Sequence, residues 1–303
     1  MSDDTIDLHT HTLYSDGSAS PEELVAMAAS AGARAIAITD HDTVDGLAEG
    51  RAAAERLGVE FVTGIEISAE HQPGTMHILG YYIDSESSLL QSKLVELKLA
   101  RRERNPEIAS RLRALGFDID YDEVVETAGS EVVGRPHFAR LMVKKGYAES
   151  IQDAFTRFLA KGAAAFVDKR RLSPADSINL IHSAGGVAVL AHPYQLKPLP
   201  VEGQDELIGE LAAMGLDGVE AIYSRHSPEQ REAYSEMAAR HGLLLTGGSD
   251  FHGSYKPDID IVRGLGDLRV PYSLLAELKS RALRRLESIV GASGDEAGPH
   301  SAE

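Results

Sequence analysis

The chain contains no cysteine. No disulfide can staple it, no thiolate can ligate a metal, and no thiol can act as a nucleophile. Any metal must be held by histidine, aspartate and glutamate, a donor set that suits manganese, iron, magnesium or zinc. No run of ~20 apolar residues is present, which excludes a membrane-spanning helix. The N-terminus "MSDDTIDLH" is acidic and lacks the basic and apolar regions of a secretory signal. A cytoplasmic location with no membrane partner is the expectation. Basic residues are few: 30 Lys and Arg stand against 47 Asp and Glu, a formal net charge of −17. That charge argues against a broad surface for duplex DNA, yet leaves room for a small anionic substrate in a locally positive pocket.

What is present is an α/β rhythm. "TIDLH", "RAIAIT", "EFVTGIEIS", "MHILGYYI", "GVAVLAHP", "DGVEAIYS" and "LLLTGGSDFHG" read as strands. Helical patterns alternate with most of them. The first helix shows Ser20 as N-cap, Pro21 at the first helical position, Glu22 and Glu23 in the first turn, and Gly32 as the stop. Repeated βα units predict a parallel sheet covered by helices. The rhythm breaks between residues 88 and 161, where "LLQSKLVELKLARRER", "PEIASRLRALG" and three further segments read as successive helices. This predicts a helical subdomain, 88–161, inserted into an α/β domain made of 1–87 and 162–290. The tail 291–303, "GASGDEAGPHSAE", reads as disordered.

Titratable residues gather where the strands end. His9 and His11 follow the first strand, Asp40, His41 and Asp42 the second, and Glu66 lies near the end of the third. His192 follows "VAVLA", and Asp250 and His252 follow "LLLTGG". A (β/α) barrel builds its active site at that end, and a ring of ligands from many strands fits a barrel better than an open sheet. Each residue alone has an ordinary reading: a histidine in a loop, a histidine at a strand edge, a turn aspartate. Glu66 is the exception, because an unpaired carboxylate inside an apolar run is costly and a metal removes that cost. His9 and His11, two apart on a strand, share a face and can converge on one ion. Asp40 and Asp42 flank His41 as candidate orienting groups. His182 and His241 read as structural, and His71 and His300 as exposed. "DKRRLS", with Lys169, Arg170 and Arg171, reads as a solvated basic loop.

The segments "DLHTHTLYSDGS", "AITDHDTVDG", "GIEIS", "HILGY", "VLAHP" and "GGSDFHG", in this order, resemble the successive motifs of the polymerase and histidinol phosphatase (PHP) family. The likeness runs from Ile6 to about Gly253 and is greatest to stand-alone members, which include nucleoside 3′,5′-bisphosphate phosphatases and 5′→3′ exoribonucleases. It implies a distorted (β/α)7 barrel with two to three divalent metals, usually manganese, with iron or zinc as alternatives. Carried over motif by motif, it places a first metal on His9, His11, Glu66 and Asp250. A second takes Glu66, His77 and His192, and a third takes Asp16, His41 and His252. It further implies a metal-bridging hydroxide at Glu66 as the nucleophile, and a clamp for a second substrate phosphate from Arg135, His137, Arg225 and His226. Arginine suits the clamp because its fork matches phosphate oxygens.

The resulting expectation is a metal-dependent phosphoesterase acting on nucleotides or short 5′-phosphorylated RNA. Three divalent ions against Asp16, Glu66 and Asp250 leave the pocket cationic inside an acidic protein, which favours phosphate esters. A small-metabolite phosphatase such as histidinol phosphatase is the alternative within the class. A non-catalytic metal-binding module and a metal-dependent amidohydrolase are the alternatives outside it.

Overall fold

The computed structural model describes residues 4–72, 74–129, 132–196, 199 and 201–295, without the side chains of 201, 202 and 288–295. Seven strands form one mixed sheet whose spatial order follows the chain. They are β1 (Thr5–Asp7), β2 (Ala33–Ile38), β3 (Glu60–Ala69), β4 (Met76–Tyr81), β5 (Val187–Leu190), β6 (Gly218–Tyr223) and β7 (Leu244–Gly248). The pairs β1–β2, β2–β3, β5–β6 and β6–β7 are parallel. β4 runs antiparallel to both of its neighbours. This corrects the expectation of a fully parallel sheet, and its cause is the connection over residues 70–75, too short for a crossover helix.

The sheet then curls until its first and last strands meet. Leu8 N donates to Gly247 O (3.2 Å), Asp250 N to His9 O (2.8 Å) and His11 N to Phe251 O (2.9 Å). The barrel is nearly closed by these bonds, which lie at and beyond the C-terminal ends of β1 and β7.

Alternation along the strands divides the core into two layers. Ile36, Ile38, Ile65, Ile67 and Ile78 face the surrounding helices, meeting Leu24 and Val25 of α1 (Pro21–Ser30), Ala53 of α2 (Leu47–Leu57) and Ile181 of α7 (Pro174–Ser183). Ala35, Ala37, Val62, Leu79, Val187 and Val189 form a second cluster with Leu275 and Leu278 of α10 (Tyr272–Asp295). α1 carries the N-cap read from the sequence: Glu23 N donates to Ser20 Oγ, and the Glu23 carboxylate accepts from Ser20 N.

The helical segment contains α3 (Ser88–Ala114), α4 (Tyr121–Ala128), α5 (Arg135–Lys144) and α6 (Ile151–Ala154), which leads into a π-helical turn, Phe155–Leu159. α3 runs straight through Pro106 where two helices were expected. Its first half packs Leu90, Leu94 and Leu97 against the barrel layer, while Ile108, Ala109 and Leu112 enter a separate core with Val124, Phe138 and Leu159. Burial at both ends offsets the ~3 kcal/mol cost of an interior proline.

α10 extends to Asp295, so the first five residues of the expected tail are helical; 296–303, with His300, lie outside the described residues. A buried carboxylate ties α10 down. Asp217, just before β6, accepts from Ala188 N (2.9 Å), Arg281 (2.8 Å) and Arg285 (2.9 Å), and pairs with His182 Nε2 (2.9 Å). His182 thus has a structural partner, as does His241, which bonds Asp205 at 3.0 Å.

Candidate active site

The strand ends converge on one buried cluster. Asp7 closes β1, and its carboxylate accepts from Ser249 N (2.9 Å), Val262 N (2.8 Å) and His9 N (3.3 Å), which sets the direction of the following loop. Asp42, His192 and Asp250 each adopt a positive φ, 53°, 27° and 58°. Such conformations are unfavourable for residues other than glycine and concentrate at functional sites. Gly248 is required because a Cβ there would lie 2.4 Å from the Cβ of His9.

His9, His11 and Asp250 form the first group, with Glu66 Oε2 beside both histidines. His9 Nε2 lies 3.2 Å from His11 Nε2, 3.4 Å from Glu66 Oε2 and 3.6 Å from Asp250 Oδ1. His11 Nε2 lies 3.2 Å from Glu66 Oε2 and 3.3 Å from Asp250 Oδ1. Donors placed ~2.1 Å from a tetrahedral ion stand about 3.4 Å apart, so this spacing suits a shared cation. The other oxygen of Glu66, Oε1, faces His77 Nδ1 (2.7 Å) and His192 Nε2 (2.9 Å). Glu66 therefore presents one oxygen to each of two groups. In the third group Asp16 lies 3.3 Å from His252 Nε2 and 3.8 Å from His41 Nε2, with His11 Nδ1 at 3.7 Å. All nine residues read as ligands from the sequence come together here.

Two observations test the fit to metals. Glu66 Oε2 and His41 Nδ1 are buried 3.0 Å apart, yet neither makes a hydrogen bond. Orphaned lone pairs of this kind are expensive without a cation between them. The second is charge. Burial alone would raise the carboxyls of Asp16, Glu66 and Asp250; the surrounding histidines, with Lys256 beside Asp250, hold all three well below the usual range. Against its own burial, His11 is raised to about 9 by Asp250 and Glu66. His41 is pushed down to about 3 by burial, which keeps its lone pairs available. Anionic carboxylates set against histidines that keep a ring-nitrogen lone pair are a donor set that divalent cations occupy.

The cluster lies on one side of a cavity of ≈590 Å³ whose lining includes Asp16, His41, His77, Asp250 and His252 together with Arg101, Arg104, Arg135, His137, Arg140, Lys169, Arg171 and Lys256.

A family model described as "PHP domain" matches residues 7–168, more than half of the chain. The chain belongs to the PHP domain family.

Among relatives of this PHP chain, a 3′,5′-nucleoside bisphosphate phosphatase of Chromobacterium violaceum is 34% identical over 284 residues, covering 92% of this chain and 98% of the relative. A 5′-3′ exoribonuclease of Haemophilus influenzae is 35% identical over 246 residues, covering 81% and 89%. A solved protein from Bifidobacterium adolescentis, described as a metal-dependent phosphoesterase, superposes with a TM-score of 0.80 at 34% identity, covering 91% of this chain and 95% of its own. The PHP chain is a metal-dependent phosphoester hydrolase. No described helix is long and apolar enough to cross a membrane.

The remaining residues of the PHP site divide sharply. Arg135 lines the cavity, donates to Leu159 O (3.0 Å) and stands 5.1 Å from the centre of the Phe166 ring. Burial, then Arg171, lowers it to about 10. His137 also lines the cavity; burial and Arg140 lower it to about 4, and its Nδ1 accepts from Gly134 N at 2.9 Å. Arg225 and His226 are not on the lining. Arg225 pairs with Asp258 at 2.7 Å. His226 is buried among Tyr194, Tyr223 and Tyr234, and its Nδ1 donates to Ala221 O at 2.9 Å.

Several residues of the site were not singled out in the sequence. Glu220 on β6 is fully buried; its Oε1 accepts from His9 Nδ1 and its Oε2 from His192 N, both at 2.9 Å. It carries the signal that marked Glu66, a lone carboxylate in an apolar strand. Arg101 and Arg104 sit on α3, where "LARRERN" gives no sign of which arginines turn inward. Arg101 bonds Asp42, and Arg104 donates twice to Asn105 Oδ1 (3.1 and 2.6 Å). Lys169, expected in a solvated loop, is buried beside Asp42 (3.4 Å) and lines the cavity, as does His71, expected to be exposed. Asp40 and Asp42 bond backbone rather than ligand side chains: Asp40 accepts from Thr12 N (2.8 Å), and Asp42 from Ser68 N (3.0 Å).

Proposed function

We propose that this PHP protein acts in the cytoplasm on phosphate esters of nucleotides. Its substrates are nucleoside 3′,5′-bisphosphates, which lose the 3′-phosphate, and short 5′-phosphorylated RNA, which is trimmed from its 5′ end. Two to three divalent ions, Mn²⁺ or else Fe²⁺ or Zn²⁺, are held by the three groups: His9, His11, Glu66 and Asp250; Glu66, His77 and His192; Asp16, His41 and His252. When bound, these ions supply Lewis-acid charge and activate water toward phosphorus.

The observation that carries the reading is the pair of arginines, Arg104 and Arg135, lining the same cavity. Among the described residues neither Arg104 nor Arg135 pairs with a carboxylate. Burial, then Arg101 and Arg135, lowers Arg104 to about 9. Arg104 is buried and Arg135 half-buried, both feel Asp168 only at a distance, and cations crowded in this way favour an anion; a phosphate held there leaves a second phosphate ester over the metal groups. The inserted helical subdomain, 88–161, supplies both arginines; the barrel, 1–87 and 162–290, supplies the metal groups. The chain's own histidines are set in advance for ligation. His9 Nδ1 donates to Glu220 and His252 Nδ1 donates to Asp250 O (2.8 Å), so each Nε2 offers its lone pair.

Metal-loaded protein is to be assayed on adenosine 3′,5′-bisphosphate, adenosine 5′-monophosphate, short 5′-phosphorylated RNA, histidinol phosphate and an aryl phosphate. Arg135→Ala is expected to raise KM for the bisphosphate about tenfold or more, the worth of one charge-assisted hydrogen bond, and to leave the aryl phosphate nearly unchanged. Equal losses on both would remove the clamp.

A further inference from the structure

The three carboxylates of the metal centre are not alike. Among the described residues Glu66 is met only by histidines, and Asp16 by histidines and the neutral hydroxyl of Ser15 (3.5 Å). Asp250 also carries a lysine. Its Oδ1 faces His9, His11 and, at 3.4 Å, His252 Nδ1. Its Oδ2 accepts from two donors at once, Tyr223 Oη at 2.7 Å and Lys256 Nζ at 2.7 Å. Lys256 follows the short helical turn Gly253–Tyr255 and lines the same cavity.

The occupied Oδ2 leaves Asp250 a single oxygen for an ion. The two donors on Oδ2 do different things. Tyr223 is a neutral phenol, buried beside His9 and His192 with ring centres 6.5 and 5.5 Å away. It can orient the carboxylate without changing its charge. Lys256 brings a full positive charge to a ligand whose use is its negative charge. A divalent ion on Oδ1 and an ammonium on Oδ2 repel one another across a buried carboxylate, where screening is weak.

We infer that Lys256 tunes the ion of the His9, His11, Glu66 and Asp250 group: its ammonium withdraws charge from Asp250, so the ion is held more loosely and polarises its substrate more strongly than Asp250 and Tyr223 alone would allow. Tyr223 positions the carboxylate and Lys256 sets its charge. This rests on the metal-centre reading above and adds a role for a lysine that ligates nothing itself.

The test reads metal retention, with no substrate present. Wild type, Lys256→Met, Lys256→Arg and Tyr223→Phe are loaded with Mn²⁺, dialysed against graded chelator, and the ions left per chain are counted by elemental analysis, with circular dichroism to show that each is folded. Lys256→Met keeps the length of the side chain and removes its charge. It should need about tenfold more chelator to lose the same ion, whereas Lys256→Arg should match wild type. Tyr223→Phe should lose that ion at 10–100-fold less chelator, as loss of a positioning contact does. Weaker retention in Lys256→Met would make the lysine a positioning residue only. Unchanged retention would show that its charge does not reach the ion. Either overturns the inference. A wild type that holds no metal overturns the metal centre and this inference together, whereas retention as stated in a protein inert toward nucleotides overturns the substrate alone.

Discussion

Histidine ligands depend on what holds their far nitrogen, and here that partner is a second buried carboxylate. Glu220 fixes the tautomer of His9 and the backbone of His192, both of which stand beside Glu66. Glu220→Gln is expected to lower Mn²⁺ affinity 10–100-fold by calorimetric titration while leaving the fold intact, because the amide retains an acceptor but loses the charge. Glu220 was open to sequence reading, since the argument that picked out Glu66 applies to it unchanged. What obscured it was the lack of an accompanying histidine on β6. The histidines themselves were readable because they cluster in short motifs at strand ends. Arg104 and Lys169 were not, because the direction of a long cationic side chain depends on packing that no local pattern encodes.

At the level of elements, the last helix is tied to the barrel by one buried carboxylate as well as by its apolar face. Asp217 carries two arginines of α10, and burial, which raises its carboxyl, is outweighed by His182, Ala188 N and Arg285, which lower it. Its folded value lies below the unfolded value of ~3.9, so its contribution is present above that pH and is lost as pH falls through the folded value. Asp217→Asn should cost about 3 kcal/mol near neutrality, roughly 5 °C in Tm, with the difference from wild type shrinking as the pH falls below ~4 in thermal melts. The strands and the capped first helix could be placed from periodicity and Ser20, Pro21 and Glu23. The reversed β4 and the uninterrupted α3 could not, since both follow from tertiary contacts: a connection too short to cross over, and two cores spanned by one helix.

Across the whole molecule, the metal centre is a concentration of buried charge that the fold must tolerate. Metal-free protein titrated with Mn²⁺ should gain about 5 °C in Tm at a hundredfold excess over the dissociation constant, with little change in far-ultraviolet circular dichroism. A large change in helix signal would mean instead that the barrel forms only around its ions. The seam between β1 and β7 has a consequence for biosynthesis. His9 and His11 leave the ribosome before Asp250, which completes their group and follows the last strand. Until β7 is made and paired with β1, the early histidines have no complete cage, and any ion they meet is held by a partial set. Assembly of this site therefore waits for the closing strand, and metal choice belongs to the paired barrel rather than to its first strand.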